Sequence, residues 1–337
     1  MIPTNMNRGG GGTPLAVYAI KNRDEFIRKE SRSGGVFPAI ANWIISKNGA
    51  VYGCVTDSDF RAVHIRVDSK SNVHRFSGSK YVQSDLGDVC REVQSDLLND
   101  KYVLFSGTSC QIAGLKAFLH KVNCDMSKLY TVDIVCHGVP SPRIWEEYIR
   151  YIEETYKSNV EHADFRNKRD FGWADHVESF RLKNGKCINT SSYTALFYRH
   201  FTLRPACHQC PYKSTQRISD ISLADFWGVN KVIRLFNDNK GVSAVLINSE
   251  NGKSVFEMIK DNLIWKEVGI ENCMQTALRV PFAPNKERNN FWNQYYLKGF
   301  SAALFSVENV KKDYLIHNLL PKKIYLLIKK FTLRNKM

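Results

Sequence analysis

The amino-acid sequence predicts an α/β protein with a mixed, largely parallel sheet flanked by helices and a smaller α+β lobe. Apolar runs of strand length alternate with helix-like runs between residues 50 and 156, which is typical of a substantially parallel sheet. Two of these runs, 102–105 and 129–135, have the composition of short buried strands. Beyond residue 157 a hairpin pattern replaces the alternation, which indicates the second lobe.

Each element of the predicted first lobe, residues 15–157, has a local signal. Ser31–Gly35 opens a helix with apolar residues at helical spacing, and Asn48-Gly49 ends it. Pro142 suits the first turn of a helix, because the N–H that proline lacks would be unbonded there anyway. The sequence predicts strands over 50–55, 62–67, 102–105 and 129–135, and further helices over 85–98, from the Cys110 loop to residue 120, and over 142–156.

The predicted second lobe, residues 158–285, begins with a hairpin. Strand-like runs at 177–181 and 187–190 flank Asn184-Gly185, a pair that favours a tight turn. A helix over 193–203 then leads to a Cys-x-x-Cys turn. The remaining predictions are strands over 218–224 and 242–247, a helix over 253–260, C-terminal helices and a basic tail over 286–337, and a disordered, Gly-rich start over 1–14.

The charge distribution argues against nucleic-acid binding. The chain carries a net charge of +15, but eight Lys or Arg residues against the single Asp313 place nearly half of it after residue 310. No recognised nucleic-acid-binding motif accompanies the rest. No signal-peptide pattern is present, no stretch reaches the about eighteen apolar residues that span a bilayer, and nine cysteines do not resemble a disulfide framework. We therefore expect a cytoplasmic protein.

Four of the cysteines occupy positions suited to metal ligation. Cys207 and Cys210 form a Cys-x-x-Cys pair, which lets two thiolates reach one metal from a single turn. Cys110 and Cys136 each follow a strand and precede a helix, so we expect both in loops at strand ends. The set suits a tetrahedral zinc or a four-iron cluster. Any one of these cysteines taken alone is also explained as a small buried side chain.

Two predicted helix starts are suited to phosphate. One contains Ser33, Gly34 and Gly35, and the other contains Gly107 and Thr108. Free backbone N–H groups at a helix N-terminus bind anions, although a plain turn explains each loop equally well. No Gly-x-Gly-x-x-Gly follows a strand, so an ordinary dinucleotide-binding site is not supported.

Six ordered motifs between about residues 18 and 248 resemble the beta-subunit family of coenzyme F420 hydrogenases and dehydrogenases. They are SGGVF at 33–37, GSKYVQSD at 78–85, FSGTSCQIAGL at 105–115, VCHGVPS at 135–141, NKRDFGW at 167–173 and SDISLADFWG at 219–228. The resemblance implies an iron–sulfur flavoprotein with a 4Fe-4S cluster and FAD. Electrons would pass between a ferredoxin-type partner and a small-molecule hydride acceptor, which is the deazaflavin coenzyme F420 in archaeal members. Bacterial relatives occur beside surface-polysaccharide biosynthesis genes.

The resemblance also implies roles for particular residues. Cys110, Cys136, Cys207 and Cys210 would hold the cluster, with His137 as a proton relay or a structural histidine. The flavin would bind the first lobe near Ser33, Gly34, Gly35, Lys80, Tyr81, Gly107 and Thr108, with Asp225 of the second lobe flanking it. Three of these residues have plainer explanations: Lys80 as a surface residue, Tyr81 as a core residue and Asp225 as a turn cap. The alternative function is a non-catalytic scaffold with a structural zinc on the same cysteines.

The chain departs from the family pattern in two places. Longer members carry an N-terminal ferredoxin-like segment, whereas no cysteine precedes Cys54 here. Electrons would then arrive from a separate protein, or activity would be lost. Ser109 stands where the family usually has proline before the cysteine.

The basic tail has two explanations. Residues 321–337 have an apolar stripe at helical spacing surrounded by lysines and arginines. Such a helix either packs on the protein's own core or makes peripheral contact with an anionic membrane on the inner face.

Overall fold

The computed structural model describes residues 13–307 and Val310. Two sheets contain the described strands, which are β1 (Ala16–Asn22), β2 (Ala50–Thr56), β3 (Ala62–Val67), β4 (Val103–Thr108), β5 (Leu129–Ile134), β6 (Val160–Asp164), β7 (Glu178–Leu182), β8 (Cys187–Thr190), β9 (Ile221–Asp225), β10 (Ser243–Ile247) and β11 (Leu263–Glu267). The α-helices are α1 (Glu25–Glu30), α2 (Val36–Ser46), α3 (Val89–Leu98), α4 (Ser109–Lys121), α5 (Pro142–Tyr156), α6 (Lys168–Phe171), α7 (Ser192–Tyr198), α8 (Glu250–Ile259), α9 (Arg288–Lys298) and α10 (Phe300–Ser306).

The large sheet has eight strands in the order β11-β1-β10-β9-β5-β4-β2-β3. Its middle is parallel, because β2 pairs with β4, β4 with β5, and β5 with β9 in the same direction. The strands outside this middle pair antiparallel. The predicted mixed α/β architecture with helices around the sheet is therefore confirmed.

Helices cover both faces of the parallel strands. Successive side chains of a strand point to opposite faces, so each strand contributes to the core on both sides. Val51 and Leu104 pack towards α2 and α8 on one face. Tyr52 and Phe105, one residue further along the same strands, pack towards α3 and α4 on the other. The strands are therefore buried on both sides, as is typical of parallel sheets.

A second core surrounds the three-stranded sheet β6-β7-β8. Trp145 and Tyr148 of α5 pack there with Phe180 and Tyr193, and α9 and α10 complete the cluster. Helix α5 belongs to our predicted first lobe, whereas β9, β10 and β11 of the predicted second lobe join the large sheet. The chain therefore divides differently from the predicted 15–157 and 158–285. An apolar stripe shows that an element is amphipathic, but not which neighbour covers it.

Several boundaries differ from the prediction. Helix α3 begins at Val89 rather than at residue 85, and α7 ends at Tyr198 rather than at 203. His200 has a left-handed φ of 62°, which a continuing helix does not allow. Strands β1, β6 and β11 were not predicted, and β6 and β11 lie at sheet edges. The start of α5 at Pro142 is as predicted.

Two predictions concern the ends of the chain. Residues 1–12 of the predicted disordered start and the whole predicted tail helix, 321–337, lie outside the described residues. Within the described part, no helix is long and apolar enough to cross a membrane.

Candidate functional site

A cleft of about 1440 Å³ runs along one edge of the large sheet. It lies at the carboxyl ends of the parallel strands, where Cys54 of β2, Thr108 of β4, Ile134 of β5 and Asp225 of β9 line it. This is the edge at which α/β sheets bind ligands. The fold therefore brings the predicted cysteine loops and helix starts to one place.

Most of the predicted site residues line this cleft, namely Ser33, Gly35, Lys80, Tyr81, Gly107, Thr108, Cys110, Cys136, His137 and Asp225. Gly34, Cys207 and Cys210 lie outside its described lining.

Gly34 has a packing role instead of the predicted cofactor contact. A Cβ at this position would lie 2.2 Å from the carbonyl oxygen of Ile20 and 2.7 Å from the amide nitrogen of Ser243. The Gly34 N–H already donates to the Ser243 hydroxyl at 2.9 Å. The glycine is needed because the chain before α2 presses directly onto β1 and β10.

The start of α2 faces the cleft with unsatisfied backbone donors. Gly35 is the N-cap residue with a left-handed φ of 78°, and no described side chain caps the helix. Val36 and Phe37, the first two helical residues, line the cleft. Their N–H groups have no acceptor within the helix, so this end has the predicted capacity for an anion.

The start of α4 differs from the prediction in two respects. The Thr108 side chain accepts from the third helical N–H, and Gln111 Oε1 accepts from the Thr108 N–H at 2.9 Å. This capping box uses donors that we expected to be free for phosphate. Cys110 lies in the first turn of the helix rather than in a loop, with its Sγ 3.1 Å from Thr108 Oγ1.

The Cys-x-x-Cys turn is joined to the loop that contains Cys136. Leu203 forms an antiparallel bridge with Pro140, and the Arg204 N–H donates to the Val139 carbonyl at 2.9 Å. A Cβ on Gly138 would lie 3.5 Å from Cys207 Cβ, so the two segments are in close contact there. Two segments far apart in sequence are therefore adjacent where the Cys-x-x-Cys turn begins.

Two of the four thiols, those of Cys136 and Cys210, have raised pKa values. Burial raises the pKa of Cys136 to about 12, and Cys110 and Cys207 add to this rise. Burial, with Cys110 and Cys207, also raises the pKa of Cys210.

A bound metal cation would hold buried thiols such as these as thiolates. By residue type, four cysteines are the donors found in tetrahedral zinc and four-iron centres. As the thiols stand, however, no three His, Cys, Asp or Glu side chains in the described part of the chain are spaced to hold a metal ion.

Lys213 is a buried cation beside the cysteines that was not predicted. Its Nζ donates to the Cys136 carbonyl oxygen and lies 5.1 Å from the centre of the Phe282 ring. Burial lowers the pKa of Lys213, and Cys136, Cys210 and Cys207 oppose this shift. Its position three residues after Cys210 was the available sequence signal.

Lys80 and Tyr81 are held by the protein itself. Lys80 Nζ donates to the carbonyl oxygens of Phe76 and Ser77 at 3.1 and 2.9 Å, and burial lowers its pKa to about 8. Tyr81 stacks on Phe197 with ring centres 4.8 Å apart. Lys80 thus closes its own loop and is not the surface residue of its plainer explanation. Tyr81 forms part of an aromatic wall, which agrees with its plainer explanation as a core residue.

Asp225 organises the other end of the cleft. Its two oxygens accept from Arg166 Nη1 at 2.7 Å and from Trp173 Nε1 at 2.8 Å. Burial opposes ionisation, but Arg166 and Trp173 outweigh it and the pKa of Asp225 is lowered. The Arg166 guanidinium also lies 4.9 Å from the centre of the Trp227 ring. Asp225 therefore positions side chains rather than capping a turn.

Arg32, which was also not predicted, joins this network. It donates to the carbonyl oxygens of Arg166 and Trp173, and burial with the neighbouring Arg166 lowers its pKa to about 10. Lys168 donates from inside the protein to the carbonyls of Arg28 and Lys240 at 2.6 and 2.9 Å. Segments 28–32, 166–173 and the end of β9 thus meet beside the start of α2.

Two histidines in the cleft are kept neutral. Burial, with His200, lowers the pKa of His137 to about 3; its Nε2 lies 3.0 Å from His200 Nε2 and its ring stacks on Phe282. These contacts fit the structural explanation of His137 better than proton relay. His64 was not predicted. Its Nε2 lies 3.1 Å from the Ser106 carbonyl oxygen, and burial lowers its pKa to about 4.

Comparison with known proteins identifies a similar fold and a family. A chain of the xenon-derivatised F420-reducing NiFe hydrogenase complex from Methanosarcina barkeri has a similar fold, with a TM-score of 0.54 and 16% identity over 89% of this chain and 94% of that chain. No curated protein matches. The family described as the C terminus of the coenzyme F420 hydrogenase/dehydrogenase beta subunit matches residues 100–272, more than half of the chain. This protein therefore belongs to the coenzyme F420 hydrogenase/dehydrogenase beta-subunit family.

Proposed function

We propose that this protein is an oxidoreductase that transfers electrons between a ferredoxin-type partner and a small-molecule hydride acceptor through a 4Fe-4S cluster and FAD. The observation that carries the proposal is the shared cleft: Cys110 and Cys136 line the same cavity as the uncapped start of α2. Flavin chemistry requires this closeness, since the cofactor exchanges single electrons with a cluster and a hydride with a substrate.

The size and lining of the cleft support more than one occupant. Its volume of about 1440 Å³ exceeds the roughly 300–1000 Å³ of ordinary ligand pockets. Ile134 and Trp227 expose 51% and 39% of their surface within it. Exposed apolar side chains inside a cleft suit a planar ring ligand, and the remaining space suits a hydride acceptor beside the flavin.

Each end of the cleft has a distinct task in this proposal. Cys110, Cys136, Cys207 and Cys210 would hold the cluster, which supplies one-electron transfer when bound. The Val36 and Phe37 N–H groups, with the Arg32 cation nearby, would bind a phosphate of FAD. The Arg166–Asp225 pair keeps Arg32 and Trp227 in place for this contact.

The setting of the reaction is also a proposal. We infer a cytoplasmic protein, at the inner membrane face if the tail contacts anionic lipid, acting within surface-polysaccharide biosynthesis. Coenzyme F420 is one candidate acceptor, since the family and the similar hydrogenase complex carry its name.

The experiment that tests this function is metal and flavin analysis of anaerobically purified protein. We expect about four iron atoms per chain and broad absorption that dithionite bleaches, together with FAD binding in isothermal titration. Cys207→Ser should lose the iron, whereas Cys273→Ser, at a buried cysteine whose Sγ bonds only to the Ile270 carbonyl among the described contacts, should keep it. Stoichiometric zinc without iron would favour the scaffold function instead.

A further inference from the structure

Arg217 is a buried guanidinium that bonds to the segment after the Cys-x-x-Cys turn. Its side chain is 2% exposed. Nη1 donates to the carbonyl oxygens of Tyr212 and Ser214 at 3.0 and 3.2 Å, and these residues follow Cys210 by two and four positions. The guanidinium therefore fixes the path of the chain as it leaves the cysteine turn.

The other nitrogen of the same guanidinium reaches the segments that carry the remaining cysteines. Nη2 forms an ion pair with Asp133 and donates to the Ile134 carbonyl at 3.3 Å, at the end of β5 just before Cys136. It also donates to the Ser109 hydroxyl at 2.8 Å, directly before Cys110. One side chain thus contacts all three segments that carry the predicted ligands.

Asp133 is the partner of Arg217 and connects two of the same segments from a buried position. It is fully buried, and its oxygens accept from the hydroxyls of Ser109 at 2.6 Å and Ser219 at 2.8 Å. The pair is neutral overall, and both partners have several hydrogen bonds, which a buried ion pair needs. The ion pair therefore sets geometry rather than adding net charge beside the cysteines.

We propose that Arg217, acting with Asp133, is a positioning residue that holds Cys110, Cys136 and the Cys207–Cys210 turn in register for one metal centre. This inference rests on the proposed function, since it assumes that the four thiols bind a common metal. Arg217 touches none of the thiols in the contacts described and acts through the backbone and Ser109.

Lysine cannot replace this side chain. The planar guanidinium carries five donors in a fixed fork, whereas an ammonium carries three around one point. An ammonium in this place cannot reach the Tyr212, Ile134 and Ser109 acceptors together. Loss of a partner outside the metal ligands typically weakens metal binding by roughly 10–100-fold, and we expect Arg217→Lys to fall in this range.

Ser109 gives a milder second variant. Ser109 stands where the family usually has proline. Its hydroxyl connects Arg217 with Asp133, because it accepts from the first and donates to the second. Ser109→Ala removes two hydrogen bonds but leaves the Arg217–Asp133 ion pair and leaves no charge unpaired. We expect a smaller loss of metal affinity, of a few-fold, in a protein that keeps its fold.

The test is a titration of the metal-free, reduced full chain with Co²⁺. Binding is measured by the thiolate-to-cobalt charge-transfer absorption. Arg28→Lys is the matched control, because Arg28 is 3% exposed and paired with Asp238, and its partners Asp238 and Gly241 lie outside the cysteine segments. Circular dichroism and thermal unfolding check the fold of every variant.

We expect weaker Co²⁺ binding and altered tetrahedral bands for Arg217→Lys, a few-fold loss for Ser109→Ala and wild-type binding for Arg28→Lys. Wild-type affinity and spectra in both Arg217→Lys and Ser109→Ala would overturn the positioning role and leave the metal site intact. If Arg217→Lys does not fold, Ser109→Ala alone decides. Failure of the wild-type protein to bind Co²⁺ through thiolates would overturn the proposed function itself.

Discussion

A helix N-terminus lies at each end of the cleft, but the two N-termini are capped differently. At one end α2 begins with Gly35 and leaves the Val36 and Phe37 N–H groups without a side-chain cap. At the other end α4 begins with Thr108, and a capping box closes the helix before Cys110. An uncapped helix start is suited to bind an anion, whereas a capped one gives a thiol a fixed position. This difference supports the proposed placement of a flavin phosphate at the α2 end and of the metal at the α4 end.

A buried arginine–aspartate pair supports each end. Arg166 pairs with Asp225 at the end of β9 beside the α2 start, and Arg217 pairs with Asp133 near the end of β5 beside the cysteines. In both cases the guanidinium also bonds to backbone carbonyls of other segments. Removing one partner leaves a buried charge unpaired, so such pairs make the local geometry costly to change.

The largest expected effect comes from breaking the pair at the α2 end. Arg166→Met should lower the free energy of unfolding by about 3–5 kcal/mol, because the largely buried Asp225 is left ionised without its cation. Urea unfolding measures this change. Arg169→Met is the control, since the Arg169 side chain is 64% exposed and its loss should cost under about 0.5 kcal/mol. Equal midpoints for the two variants would show that Asp225 does not depend on Arg166.

His64, a buried histidine of β3 whose ring reaches the Ser106 carbonyl of β4, should make stability depend on pH. The pKa of His64 is lowered from 6.5 to about 4 by burial, so the unfolded chain binds a proton that the folded protein excludes. Above about pH 6.5 there is no effect, and stability is lost as the pH falls towards 4. Each pH unit costs up to about 1.4 kcal/mol.

Unfolding of wild type and His64→Gln at pH 7 and pH 4.5 checks this prediction. Glutamine keeps a donor for the Ser106 carbonyl but does not titrate. Wild type should lose about 2–3 kcal/mol more than the variant. Parallel losses would contradict the burial of the neutral ring.

A pair of alanine substitutions compares the segment before α2 with the interior of α4. Gly34→Ala should destabilise the protein by about 1–3 kcal/mol, because the new methyl group meets backbone atoms of β1 and β10. Gly114→Ala in α4 has open space around it and should stabilise by about 0.5–1 kcal/mol through helix propensity. Thermal unfolding of both variants tests the opposite signs, and a neutral Gly34→Ala would show that α2 can move away from the sheet.

The smallest expected effect concerns the cap of α4. Thr108→Ala should cost about 1 kcal/mol of stability and should reduce iron loading, since Cys110 lies two residues later. Ser249→Ala removes the equivalent cap of α8, where Ser249 accepts from the Gly252 N–H at 3.1 Å. The two variants should therefore melt alike but differ in iron content. Equal iron contents would separate the cap from the metal site.

Much of the fold follows from local sequence patterns, and part of the site does not. Strand–helix alternation predicted the parallel middle of the sheet, and that topology places Cys110 and Cys136 at one edge. The role of Gly34 depends on contact with Ser243, more than two hundred residues away, which no local pattern reveals. Arg166 pairs with Asp225, and Lys168 donates to the carbonyls of Arg28 and Lys240, so their partners lie on distant segments. Burial of charged groups is a tertiary property, so motif spacing alone did not predict it.

The proposed function requires one cleft to hold a metal cluster and a flavin at separate ends. Iron and FAD contents measured in the same anaerobic samples test it most directly, using wild type, Cys207→Ser and Arg32→Met. We expect both cofactors in wild type, FAD without iron in Cys207→Ser, and iron with little FAD in Arg32→Met. Wild-type protein that contains zinc in place of iron, or that binds no FAD when iron-loaded, would contradict it.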